Sequence, residues 1–178
     1  MTTTKPNLLV RLLPSFTDVA FLMPVALLFL RLDGAKRLLG DGDTGWHLRA
    51  GEWILANGRV PRTDLFSYTK AGQPWYAWEW LWDVAFAWFY RHGGMALVVL
   101  VSMLVLATTF MLLFRLVRHQ CDNVLIAFAV TFAATAGSTF HWLARPHLFT
   151  LLFVVIYCGL LEDARRGNVR RLFWLPAL

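Results

Sequence analysis

Two carboxylates set two residues apart, in Asp41-Gly42-Asp43-Thr44, form the clearest candidate for chemistry in this chain. On an extended segment, side chains at i and i+2 point the same way. Asp41 and Asp43 could therefore jointly take a proton from a hydroxyl nucleophile or hold a divalent metal ion. The same four residues also suit a turn that runs into a helix cap, which would occupy the oxygens of Asp43 and leave Asp41 as the better base. Glu79, between Trp78 and Trp80, is a third acid, readable as a supporting acid or as half of a salt bridge. His47, Arg62, Arg145 and His147 could meet a phosphate, since arginine forks match phosphate oxygens. Arg49, Arg59 and Lys70 share that capacity and equally suit lipid headgroups. Arg145 and His147 stand out because they interrupt two apolar runs, where a charge is costly without a partner. The tryptophans at 75, 78, 80, 82 and 88 suit either sugar stacking or an interfacial aromatic belt. No zinc pattern, Walker loop, nucleophile elbow or dinucleotide fingerprint occurs, which argues against soluble nucleotide chemistry.

The elements that must position these residues are oily. Of 178 residues, 58% are hydrophobic against 16% charged, with a mean hydropathy of +0.53. The apolar residues lie in long runs, so the expected solvent is a bilayer. Four crossings are predicted, at about 15–32 (with Asp18 near its start and Pro24 inside), 94–114, 123–140 and 147–161. A large loop, 33–92, separates the first two. Within it a helix is predicted over Gly45–Asn57, closed by Gly58 and capped by Asp43 or Thr44, with Trp46, Ala50, Trp53, Ile54 and Asn57 on one face. A second interfacial helix is predicted from Trp75 to Tyr90, with Glu79 and Asp83 four apart on one face. The expected fold is thus an all-α polytopic transmembrane bundle with a large extracytoplasmic first loop carrying interfacial helices.

The net charge of +6 resides beside the apolar runs, which points to membrane lipid rather than nucleic acid as the partner. Arg165, Arg166, Arg170 and Arg171 place their loop in the cytoplasm by the positive-inside rule. Counting back puts Arg115, Arg118, His119 and the N-terminal Lys5 and Arg11 inside as well, and the 33–92 loop and Arg145 outside. Cys121 and Cys158 then lie near the reducing side, and no disulfide is expected. The stretch 172–178 reads as the opening of a further helix, and the whole as the N-terminal part of a longer protein.

Asp41-Gly42-Asp43-Thr44-Gly45-Trp46-His47, Gly51-Glu52-Trp53-Ile54, Val60-Pro61-Arg62-Thr63-Asp64-Leu65-Phe66-Ser67, Trp78-Glu79-Trp80-Leu81 and Arg145-Pro146-His147-Leu148-Phe149 occur in that order. Together they resemble the first-loop signature and a later element of bacterial membrane proteins similar to GT-C glycosyltransferases. The resemblance implies a protein of the bacterial cytoplasmic membrane that takes a sugar from a polyprenyl-phosphate carrier and passes it to an extracytoplasmic acceptor. It further implies that an acid just after the first helix faces the reacting centre, the place held here by Asp41 and Asp43, with a divalent metal ion as an optional cofactor. On that basis Asp41 is expected as the base or metal ligand, with Asp43 and Glu79 as supporting acids and Arg145, His147, His47 and Arg62 toward the donor phosphate. The chain is shorter than such enzymes and lacks their later helices. The alternative is a non-catalytic membrane protein whose loop is a structural cap or partner surface.

Overall fold

The computed structural model describes residues 13–177; Lys5, Arg11 and Leu178 lie outside the described residues. Helix α1 (Phe16–Arg31) starts at a capping box: the Asp18 N–H donates to the Ser15 hydroxyl and the Ser15 N–H donates to the Asp18 carboxylate. A single turn, α2 (Ala35–Leu38), leads to α3 (Thr44–Asn57), which Gly58 closes at φ 63°, a left-handed position that suits a residue without Cβ. Helix α4 (Trp80–Gln120) is bent, because Gly93 and Gly94 leave helical geometry there. Its first limb is aromatic and its second aliphatic. Helix α5 (Val124–Gly137) begins at Asn123, whose side chain accepts from the N–H groups of Leu125 and Ile126. A 3-10 turn (Thr139–His141), α6 (His147–Arg165) and a 3-10 segment (Val169–Ala177) follow. The described residues hold no strand, only an isolated bridge between Thr63 and Pro74, so the all-α expectation holds.

Two helices, α4 and α6, are long and apolar enough to cross a membrane. Helix α6 buries only 6% of its apolar window against the rest of the protein. Covering a Val or Leu side chain is worth about 1.5–3 kcal/mol, so a helix this bare is matched to lipid better than to water. Helices α1 and α5, with 16 and 14 residues, are shorter than the predicted crossings. At about 1.5 Å per residue they reach roughly 24 and 21 Å, against a hydrocarbon core of about 30 Å.

Three local expectations change. The helix predicted from Trp75 starts at Trp80, because the Trp75 N–H donates to the Arg62 carbonyl (3.0 Å) and holds that stretch in a hairpin-like turn. It does not stop at Tyr90 but runs through the glycine bend into the predicted 94–114 crossing. The buried face of α3 is His47, Ala50, Gly51 and Ile54, while Trp46 and Trp53 are only half-buried and Asn57 is exposed. Close approach decides this face, since a Cβ on Gly51 would stand 1.8 Å from the Asp83 carbonyl oxygen of α4. Finally, 169–177 is not an α-helix. It folds back on α6, with the Tyr157 hydroxyl donating to the Leu175 carbonyl at 3.4 Å and Arg171 paired with Asp163.

The largest of three buried clusters joins Leu28, Leu38, Leu106, Phe110, Trp142 and Leu148; a second gathers Trp82, Phe86, Val98 and Ala144, and a third Ala20, Phe114 and Ala127. At one end the chain is tied by main-chain contacts: the Ala144 N–H donates to Leu38 (2.7 Å), and Arg37 Nη2 donates to the carbonyls of Thr139 (3.1 Å) and Phe140 (2.9 Å). At the other, Arg166 Nη2 donates to the His119 carbonyl at 2.8 Å. Cys121 and Cys158 are free thiols.

Candidate functional site

The turn between α2 and α3 and the turn before α6 converge through those ties, and this brings Arg145 onto the acidic pair. Its Nε lies 3.0 Å from Asp41 Oδ2 and its Nη2 lies 2.8 Å from Asp43 Oδ2. One guanidinium thus bridges both carboxylates. Asp41 is the more enclosed, with a side chain 12% exposed against 45% for Asp43. Its second oxygen accepts from the Asp43 N–H at 3.2 Å, which fixes the turn.

Asp43 holds the N-cap position of α3, yet its side chain makes no capping hydrogen bond. The competition expected to weaken Asp43 as a base is therefore absent from this geometry. Arg145 draws its carboxylate outward and leaves it the more accessible of the two. Thr44, next in line, keeps a buried hydroxyl without a hydrogen-bond partner among the described residues.

One turn into α3, His47 is fully buried and stacks on Trp46 at a centroid distance of 4.0 Å. Its Nδ1 is 2.6 Å from Asp83 Oδ1, and its Nε2 is 3.4 Å from Glu79 Oε2. Glu79 is the N-cap of α4 and Asp83 lies in its first turn, and the spacing of four puts them on one face. Asp83 is fully buried and its second oxygen has no hydrogen-bond partner among the described residues. An imidazole with both nitrogens toward carboxylates is poorly arranged to meet a phosphate, because the neighbouring acids would repel it. Glu79 is partly exposed and borders an aromatic cleft formed with Trp78, Trp82, Pro146, Phe149 and Phe153, immediately beside Arg145.

The remaining candidates stand apart. His147 Nε2 contacts the His141 carbonyl, which clips the turn ahead of α6. Arg62 is exposed and lines a separate cavity of about 710 Å³ with Arg59 and Trp53, and no contact joins it to Arg145 among the described residues. Of the tryptophans, Trp82 is buried in the core while Trp78 is 88% exposed.

The structure therefore joins Asp41, Asp43 and Arg145 in one group, and His47, Glu79 and Asp83 in a second a few residues away. Together they hold four carboxylates against one permanent cation. Asp83 had no role assigned from sequence; its signal was an acid one turn after Glu79 within an otherwise aromatic run. No group of three His, Cys, Asp or Glu side chains is arranged for a metal among the described residues. With Arg145 against both aspartates, this donor set as arranged does not fit a divalent ion. No protein family, characterised protein or solved structure matches the chain.

Proposed function

We propose that the chain is the N-terminal module of a GT-C-like membrane glycosyltransferase that moves a sugar from a polyprenyl-phosphate carrier to a hydroxyl acceptor. In this reading all four apolar helices cross the bacterial cytoplasmic membrane, the N-terminus is cytoplasmic, and 33–92 forms an extracytoplasmic lid. The observation that carries it is the bridge from Arg145 to Asp41 and Asp43, which assembles an acid pair and a phosphate-capable cation from distant parts of the sequence. The separation of the Arg118 and Arg166 end from the acidic end supports the orientation.

In this reading the base is Asp43 rather than Asp41, which its greater exposure supports. The more exposed Asp43 carboxylate takes the acceptor proton as the acceptor oxygen bonds to the anomeric carbon. The bond from that carbon to the carrier phosphate oxygen breaks, and the phosphate leaves with the electron pair. Enclosed Asp41 orients Arg145, whose charge offsets that developing on the leaving group. The test is sugar transfer by the full-length protein in vesicles from a panel of polyprenyl-phosphate sugars. Asp43→Asn should lower turnover by about 10²–10⁴-fold, the usual worth of a positioned general base, without loss of folded protein. Unchanged turnover in Asp43→Asn and Asp41→Asn alike would leave no catalytic role for the pair.

A second reading has its own support. The Arg145 bridge runs beside the Ala144 to Leu38 and Arg37 to Thr139 hydrogen bonds, so it could serve as one more tie in a structural cap. The same vesicle assay separates the two, since a cap would transfer no sugar from any donor.

A further inference from the structure

At the end of the molecule away from Asp41 and Arg145, the last turns of α4 and α6 flank a cavity of about 500 Å³. That volume falls within the roughly 300–1,000 Å³ of small-ligand clefts. On α4, Leu112, Arg115, Leu116 and His119 follow the i, i+3, i+4, i+7 pattern and line it as one face. Val155, Ile156 and Leu160 of α6 form the opposite wall, and Gly159 keeps the groove open, with nothing within 4 Å of where a Cβ would stand. The lining changes character along its length, from aliphatic at Val155 to charged at Arg166 and Arg171.

We propose that this groove binds an anionic phospholipid, its phosphodiester between Arg115 and His119 and an acyl chain along the aliphatic wall. Three properties fit that occupant. From Val155 to Arg166 the helix rises about 16 Å at 1.5 Å per residue, close to half of a hydrocarbon core of about 30 Å. The groove is therefore as deep as one leaflet. Its acids are already spent, Glu162 on Arg165 and Arg166 and Asp163 on Arg171. Arg115 has no hydrogen bond or ion pair among the described residues, although it also lines a second cavity with Arg118 and Thr17 on the far side of α4. An arginine in this position gains most from a phosphate oxygen, for which its fork is shaped. The inference rests on α4 and α6 lying in a bilayer and is independent of sugar transfer.

The test uses the full chain, purified in detergent and offered phosphatidylglycerol or phosphatidylcholine with identical acyl chains, with retained lipid counted by native mass spectrometry. The expected result is one phosphatidylglycerol held per chain, with phosphatidylcholine held at least about tenfold less, because its choline cation offsets the phosphate charge that Arg115 would meet. Arg115→Gln should erase that preference, Arg115→Lys should keep most of it, and Arg91→Ala at the opposite end should leave it intact. Gel filtration of each variant identifies any that misfold, and the charge-retaining lysine variant then carries the comparison. Equal retention of the two lipids would overturn the proposal, as would an unchanged preference in folded Arg115→Gln. Displacement by millimolar inorganic phosphate would also overturn it, since the ligand would then be a free anion.

Discussion

Gly51→Ala sets two effects of opposite sign against each other. In an open helix the change is favourable by about 1 kcal/mol, because alanine loses less backbone freedom than glycine. In this fold the new Cβ would stand 1.8 Å from the Asp83 carbonyl oxygen and 2.8 Å from the Ala87 Cβ. Ordinary carbon–oxygen contact begins near 3.4 Å, and a main-chain atom cannot rotate aside, so α3 and α4 must part by roughly 1.5 Å. That parting strains the 2.6 Å contact between His47 and Asp83, both fully buried. Overpacking alone costs about 1–3 kcal/mol, and exposing one buried charge to the loss of its partner costs about 3–5 kcal/mol. A net loss of at least about 3 kcal/mol after the helix gain is the expectation, or roughly 6–12 °C or more in midpoint at 2–4 °C per kcal/mol for a chain of this size. Thermal unfolding of the purified chain in detergent, followed by tryptophan fluorescence, reads it directly. A midpoint equal to or above the parent would refute the packing argument, since the helix-propensity gain would then stand unopposed. In the background of Asp83→Ala the penalty should shrink, because the contact that α3 strains is already gone.

Gly94 has φ 60° and ψ −162°, a region open essentially to glycine, so Gly94→Ala should cost about 1–3 kcal/mol and loosen the bend between the limbs of α4. Hydrogen exchange rising on both sides of the bend would check it; unchanged exchange would count against the strain. In the 59–75 turn, Asp64 accepts from the N–H groups of Phe66 and Ser67, both at 2.9 Å. Its carboxyl is held below its ordinary pKa of 3.8, first by the Ser67 hydroxyl and then by those main-chain N–H groups. A lowered folded value means the turn is supported by this group above the ordinary pKa and loses that support as pH falls below it. Protection of the Phe66 and Ser67 amides, corrected for intrinsic exchange, should therefore fall on acidification in the parent and be pH-independent in Asp64→Asn.

Where the sequence carried a strong local signal, the structure followed it. Ser15 with Asp18 starts α1, Asn123 starts α5 and Gly58 ends α3, because capping residues act on the N–H and C=O groups of their own turn. The misplaced features depend on distant contacts. Periodicity put Trp46 and Trp53 on one face of α3 with Ala50 and Ile54, but residue size decided which side turned inward: the glycine at 51 admits a neighbouring backbone, and the face containing it packs inward with His47. The helix start slipped from Trp75 to Trp80 because Arg62, thirteen positions earlier, claims the Trp75 N–H. Asp41, Asp43 and Arg145 were legible as a candidate site, whereas the difference in exposure between the two acids was not. It depends on which carboxylate Arg145 pulls toward solvent, a property of the turn before α6.

The two readings of the acidic pair differ in how much charge they require. A tie between the 41–43 turn and the turn before α6 needs one carboxylate on one guanidinium, which is already neutral and already bidentate in reach. Here Arg145 meets two, and the pair is left with a surplus negative charge and an Asp43 side chain 45% exposed. Surplus charge beside a low-dielectric helix end costs more than it returns to a purely structural contact, since exposed ion pairs contribute only about 0–1 kcal/mol. The same surplus is useful to a site that must accept a proton while its cation faces a phosphate, for one acid can orient the arginine while the other reacts. If the pair is catalytic, neutralising Asp43 alone should cost little stability and much of the turnover, whereas a purely structural tie would lose stability and have no turnover to lose.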